Sequence, residues 1–503
     1  MGGMVTIGSN PGLWGASLGQ YAPKPCVNLT AKPSNGAVLL KWEDPEDYTT
    51  TDKYPVEWAY TRIVRKTGSY PVDENDGTVV VTNSTRNQYK SKAYTDSGLT
   101  NYTTYYYRAF SCSTDGVYNH EQVQATVTPI PWKVMTVILN LANSNPSNIG
   151  TYSDDAVTMS SGKDVEAWKE FFGYKPCLFK DGKVVGYLNP NDYTKFEDGS
   201  PADITSGKAG DVMIQFPRRG VKISRSGKVV KVSMTDNPND PNFKYYAHQR
   251  GSADKDYFYM GVYLGYVTGN KLRSLSNKTP SVNYSLNQFD SYGKNNGTGY
   301  GCLGWFQWLF VQVMYVLQFK GNLDSQSTIG YGCTGDNTPT GSTNTKGLFY
   351  GTSSSGNSVK AFGLEDLWGH LYQFVNNFYS GNYHVWTTTD DTITDVNKYT
   401  DNGSFGSNSS WGGNFYTLCI GTTEAGFVVD GNSGTGSSST YFCDNANFNS
   451  GNVPNVGGNW NSNSDYGLFN FWCNNSRDNS NSNYGSRLGD DVKHVENLYY
   501  TQE

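Results

Sequence analysis

From Lys24 to about Pro129, short runs of alternating apolar and polar residues recur between turn residues, as in AVLLKWEDP, YTRIVRKTG, GTVVVT and YYYRAFSCS. A period of two turns one side of each strand toward a core, so many short strands at close spacing predict an all-β sandwich. After Pro131-Trp132 the pattern changes. MTVILNL predicts a strand, and Val165, Trp168, Phe171 and Phe172 recur at helical spacing behind Ser161, a candidate N-cap. In CLFKDGKVVGYLNP, Asp181-Gly182 stands between two apolar runs and predicts a two-residue hairpin. Two further helices are predicted. Trp305 to Phe319 is apolar apart from Gln307, Gln312 and Gln318 and too short to span a bilayer, so it reads as a buried helix. In Glu365 to Phe378, Leu367, Trp368, Leu371, Phe374 and Val375 fall on one helical face.

These elements predict a multi-domain chain. Residues 1–23 are Gly-rich and lack apolar periodicity, which suits an N-terminal arm, an attachment segment or a disordered terminus. Residues 24–130 form the sandwich, 131–220 a connecting α+β segment, and 221–503 an α+β domain with few helices and long ordered loops. The loops, such as TGDNTPTGSTNTKG and DGNSGTGSSST, are rich in Gly, Ser, Thr and Asn, and long loops of that kind usually carry function.

Composition narrows the function classes. With 503 residues the chain is ample for a buried core. Its net charge of −6 and the lack of any Lys/Arg cluster count against nucleic acid as a partner. The first twenty residues have neither a basic start nor an apolar stretch, so no secretory signal is expected there. The eight cysteines, Cys26, Cys112, Cys177, Cys302, Cys333, Cys419, Cys443 and Cys473, form no C-x-x-C pair and have no His at ligand spacing. They read as small buried hydrophobes, with neither zinc nor disulfides expected. The histidines, His120, His248, His370, His384 and His494, pair with no Cys or carboxylate at ligand spacing, so no catalytic residue is expected. No cofactor is expected either. Asp390-Asp391 and Asp490-Asp491 leave a structural Ca²⁺ open, against the commoner reading of solvated loop carboxylates.

The most unusual stretch lies near the C-terminal end, VPNVGGNWNSNSDYGLFNFWCNNSRDNSNSNYGSRL from Val453 to Leu488. About a third of the residues from Asn445 to Tyr484 are Asn, yet Trp460, Phe469, Phe471 and Trp472 interrupt them, which a solvated tract would not require. The pattern divides in two. Gly457, Gly458, Trp460, Gly467, Phe469, Gly485 and Arg487 read as a frame: the glycines for turns, Trp460 and Phe469 for deep burial, Arg487 for tying loops through several donors. Between them, Asn461, Ser462, Asp465, Tyr466, Asn470, Trp472, Asn474, Arg477, Asp478, Asn481 and Asn483 are candidate ligand contacts. Their mixture of adaptable amides and rigid rings matches that of antibody paratopes. Asn codons (AAC or AAT) become Asp, Ser, Tyr, His, Thr, Cys or Phe through changes at adenines alone, and most residues between the frame positions belong to that set. Trp472 does not.

The order GGNW, Gly467, LFNF, an Asn/Ser run and GSRL resembles the variable region of proteins diversified by a diversity-generating retroelement. Those regions sit on a C-type-lectin-like fold related to the formylglycine-generating enzymes. GLEDLWGHLYQFV, Gly363 to Val375, is similar to a segment of the same fold, with His370 and Gln373 standing where Asn and Glu are usual. These departures count against a metal or catalytic role for that segment and leave its packing role. Cys473 also stands alone where the related enzymes carry a close cysteine pair.

The resemblance implies a C-type-lectin-like domain over 221–503 with a variable region at about 455–488. It further implies a phage or prophage tail receptor-binding protein, located in the virion at a tail fibre or tail tip. The implied partners are a bacterial surface receptor, protein or glycan, and other tail or baseplate proteins, with no membrane insertion. A homo-oligomer, with a trimer as first expectation, and a monomer on a larger baseplate both remain open. So do two other functions, a non-diversified carbohydrate-binding module and a structural tail component. In the first domain, Trp42 before Asp44-Pro45, and Leu99 six residues before Tyr105, resemble fibronectin type III. That fold carries a core Trp and a corner Tyr, and serves mostly as a spacer.

Overall fold

The computed structural model describes residues 21–48, 56–332, 334–382, 384–393, 395–404, 410–430, 436–437 and 439–490. The 1–20 part of the expected arm, Cys333, Asp491 and His494 lie outside the described residues. The chain is β-rich with few helices and divides into two compact units, one up to Trp132 and one beginning at Lys133.

In the first unit, Ala37–Glu43 alternates buried and half-buried residues and pairs with Val27–Ser34 and Tyr94–Ser97. A second sheet has Thr78–Asn83, Trp58–Thr67, Tyr105–Ser113 and Gln124–Val127 in that order. Between them Trp42, Leu40, Ile63 and Tyr107 form a core, each at most 1% exposed. Its polar atoms are matched: Trp42 Nε1 donates to Asp44 at 2.9 Å, and the Tyr107 hydroxyl donates to Asp96, which also holds Arg65 at 2.6 Å. Tyr105 closes a corner, its hydroxyl accepting from the Thr100 amide at 3.1 Å.

The second unit is built round the helix Trp305–Gln318, in which every residue is buried. Its glutamines are tolerated there because their amides find carbonyl partners; Gln312 Nε2 donates to Leu468 O at 3.1 Å and Gln318 Nε2 to Gly162 O at 3.0 Å. Among the described residues no helix is long and apolar enough to cross a membrane. The Asp181-Gly182 hairpin forms as a two-residue turn: Lys180 pairs with Lys183 and both turn residues have positive φ, 50° and 73°.

Residues 131–220, expected as a connecting segment, supply strands to the same sheets as the residues after 221. Val134–Asn140 lies beside Val229–Thr235, and Lys175–Lys180 and Asp211–Pro217 stand in a seven-stranded sheet that continues through Tyr257–Gly261, Leu488–Asp490 and Tyr300–Cys302. The chain leaving the Asn-rich segment is therefore clamped between two strands of this sheet.

Two local expectations are corrected. Ser161 does not cap the helix Glu166–Phe172; Val165 occupies the cap position in extended conformation, without a side-chain cap. Glu365–Phe378 is not a helix. Leu364–Glu365 pairs with Lys360–Ala361, and Tyr372–Phe374 is a strand. Phe362, Asp366 and Gly369 sit at φ of 51°, 51° and 78°, and Asp366 spends its carboxylate on Val359 N and the Ser358 hydroxyl. Residues 358–378 are buried throughout, so their apolar side chains fit any period and the helical spacing was uninformative.

Candidate functional site

The Asn-rich segment is pinned at both ends and in the middle. At its start, Val453–Val456 pairs with Phe471–Asn475 and with Tyr372–Phe374 in a six-stranded sheet. Gly457 and Gly458 follow at φ of 81° and 67°, where a Cβ on the first would strike Leu367 O and on the second the Tyr466 side chain. Only glycine fits both demands. At its end, Arg487 is fully buried. Its Nε donates to Gln373 Oε1 at 3.0 Å, one terminal nitrogen to Gly261 O and Val262 O at 3.0 and 2.6 Å, and the other to Glu365 O and Asp366 O at 2.7 and 3.0 Å. One side chain thus joins two stretches of backbone, at Gly261-Val262 and Glu365-Asp366, to the Gln373 side chain. Burial lowers its pKa to about 10, opposed by the nearby carboxylates of Asp366 and Glu365.

The middle anchor is the turn Gly467–Phe469. Phe469 is 1% exposed and packs against Phe427, Phe442 and Tyr315 with ring centres 5.4, 6.1 and 5.7 Å away. Its amide donates to Asp444 at 2.7 Å, and the Leu468 amide donates to Ser325 Oγ at 2.9 Å. Burial pushes the Asp444 carboxyl up to about 7, against the lowering effect of the Phe469 and Gly467 amides. Gln326 steadies the preceding loop, donating to Asn463 O and accepting from Tyr466 N. Asp444, Ser325 and Gln326 lie outside the segment, and nothing in its own residues pointed to them. Gly485 is also confined, facing Leu371.

Trp460 departs from its expected role. It is only partly buried, its amide donating to His370 O at 2.9 Å, so Phe469 carries the deep burial that both residues were expected to share. Trp460 sits in a tight turn closed by its neighbours, with Ser462 N donating to Asn459 O at 3.1 Å and Ser462 Oγ to Asn459 Oδ1 at 2.8 Å.

The candidate contacts separate into three groups. Strand alternation sends Phe471 and Cys473 inward and leaves Trp472 and Asn474 half-exposed on the outer face. There Trp472 meets Tyr466 at 6.4 Å between ring centres, and Tyr372 lies within 6.1 to 6.4 Å of Tyr466, Trp472 and Tyr484. Asn461 is exposed and Ser462 and Asp465 half-exposed along the loop that carries Tyr466. Burial raises the Asp465 pKa, and its carboxylate accepts from Asn445 Nδ2. Asn447 and Asn455 are register partners of Trp472 and so share its face; Asn447 Oδ1 and Asn455 Nδ2 are buried there without a protein hydrogen-bond partner, as is Asn483 Oδ1 further along the segment.

A second group stands apart. Arg477 is held by Asn287 and Asn376, both at 2.9 Å, and Asp478 accepts from Asn287 at 2.7 Å. Asn481 is exposed but its Oδ1 serves Ser482. These side chains fix loop shape and have less freedom to meet a partner. The third group is Asn470 alone, 1% exposed and donating to Asn445 O at 2.8 Å. Its place is corrected from contact to frame, because the Phe469 turn carries it inward. Tyr372 and Tyr484 were not expected on this face. The helical reading of Glu365–Phe378 concealed Tyr372, although LYQFV alternates as a strand does.

Among the described residues no group of three or more His, Cys, Asp or Glu side chains is placed to hold an ion. Asp390 Oδ1 is occupied by its own turn, accepting from Thr392. His370 Nδ1 sits 3.0 Å from Asp366, and Gln373 is committed to Arg487 and to the Asp366 and Leu367 carbonyls. The described cysteines are buried and free. The chain matches no protein-family model and no curated protein.

Proposed function

We propose that the chain is a phage or prophage tail receptor-binding protein, with no enzymatic role, whose second unit is a C-type-lectin-like domain displaying a retroelement-diversified surface to a bacterial envelope receptor. The observation that carries this reading is the division of labour inside one short segment. Phe469, Phe471, Cys473, Gly485 and Arg487 are buried, while Asn461, Tyr466, Trp472 and Asn474 point outward from the same stretch. Exposed side chains can then change without touching the contacts that keep the segment folded. The uncharged mixture of rings and amides suits recognition through stacking and adaptable hydrogen bonds, strengthened by multiple copies on a tail.

The first unit is read as fibronectin type III-like, a spacer, on the strength of the Tyr105 corner and the buried Trp42. The encoding DNA tests the diversification directly. A nearby non-coding repeat matching codons 455–488 except at adenines, beside a reverse transcriptase gene, is the expected finding. A locus with neither would remove diversification and leave a fixed binding module.

A further inference from the structure

The geometry points to a second ligand site on the second unit: a lysine-rimmed double cleft that binds an anionic, hydroxyl-bearing linear polymer. It uses no residue of the Asn-rich segment. Two clefts of about 530 and 310 Å³ share one wall, Lys163-Asp164-Val165. The first opens toward Lys320, the second toward Lys169 and Lys346. The carboxylates on these walls are Asp164 and Glu166, and Glu166 is paired with Lys169 at 3.0 Å. Among the described residues Lys163, Lys320 and Lys346 pair with no carboxylate, so the cleft walls carry a local excess of positive charge in a chain whose net charge is −6.

Lys320 is placed there at a cost. Its φ is 52°, a left-handed conformation that among the other non-glycine residues of this unit falls mostly to Asn and Asp, as at Asn270, Asn277, Asp181 and Asp366. Gly150 makes room for it, since a Cβ at that position would strike the Lys320 carbonyl. The ammonium lies 5.7 Å from the Tyr152 ring centre, and the Tyr152 hydroxyl is fixed on Leu317 O at 3.0 Å. The opposite wall is stitched to the helix end: Gly162 N donates to Gln318 O and Gln318 Nε2 to Gly162 O, both at 3.0 Å. The cleft is thus shaped before any ligand arrives. Asn148, Ser161 and Asn322 line the same cleft, offering neutral partners for hydroxyls. Separated cations with amides and hydroxyls between them match a chain of repeated anionic groups on a hydroxylated backbone, with either carboxylate or phosphate as the anion.

Calorimetry on the full chain tests this with three probes: a galacturonate hexamer, a glycerol phosphate oligomer of similar length, and neutral maltohexaose. At about 0.01 M salt, where charges act over about 30 Å, at least one polyanion binds, and binding weakens at about 0.15 M. Which polyanion binds distinguishes carboxylate from phosphate. The variant Lys163→Ala/Lys320→Asn/Lys346→Ala binds it about tenfold more weakly, the sum of three exposed charge contacts. Lys320→Asn alone, which suits the left-handed backbone, shows part of that loss should the triple variant fold poorly. Trp472→Ala leaves polyanion binding unchanged. The site is overturned if neither polyanion binds at low salt, if maltohexaose binds as tightly, if the lysine variants bind like the wild type, or if Trp472→Ala abolishes binding.

Discussion

Arg487→Ala unfolds the second unit's C-terminal architecture, at an expected loss of about 4 kcal/mol or more. The guanidinium serves Gln373 and four backbone carbonyls in the interior, and each buried acceptor left without a donor costs about 1–3 kcal/mol. Part of that cost is recovered where neighbours move, which keeps the figure below a simple sum. Arg487→Lys recovers little, because one ammonium cannot reach the carbonyls of two separate stretches and the Gln373 side chain together. Urea unfolding read by tryptophan fluorescence measures it, and an Arg487→Ala midpoint equal to that of the wild type would show that the network does not support the fold.

The second large effect is on recognition. Tyr466→Ala combined with Trp472→Ala weakens attachment to host cells at least about thirtyfold, since central aromatic contacts typically carry about 2 kcal/mol or more. The two rings lie 6.4 Å apart, both half-exposed, over Asn447 and Asn455. Folding changes little, because neither ring contributes to the buried cluster around Phe469. Adsorption of purified protein to host cells reads the first quantity and a thermal midpoint the second. Unchanged adsorption would contradict the proposed receptor-binding role of this face.

Where local rules act alone, the sequence was a good guide. Asp181-Gly182 needed only its own φ preferences, and Trp305 to Phe319 only its length and apolar content. Trp42 and Tyr105 were legible only through their resemblance to the core Trp and corner Tyr of fibronectin type III. Glu365–Phe378 was not legible, since a segment buried on every side has no polar face to set its period. That error also hid Tyr372, the ring that links Tyr466, Trp472 and Tyr484. Asn470 and Trp460 exchanged their expected exposures because a turn of a few residues decides which side chain swings inward, and composition cannot fix that. The partners that hold the segment, Asp444, Ser325, Gln326 and Gln312, come from distant parts of the chain, where only tertiary packing brings them together.

The central claim is that residues 453–490 form a stiff frame beneath an exchangeable outer face. Native-state hydrogen exchange over that stretch tests it most directly. The amides of Leu468, Phe469 and Leu303, bonded to Ser325, Asp444 and Arg487 O, should exchange as slowly as those of the central strand Tyr257–Gly261. Fast exchange of the Leu468 and Phe469 amides, at the rate of an open loop, would contradict it.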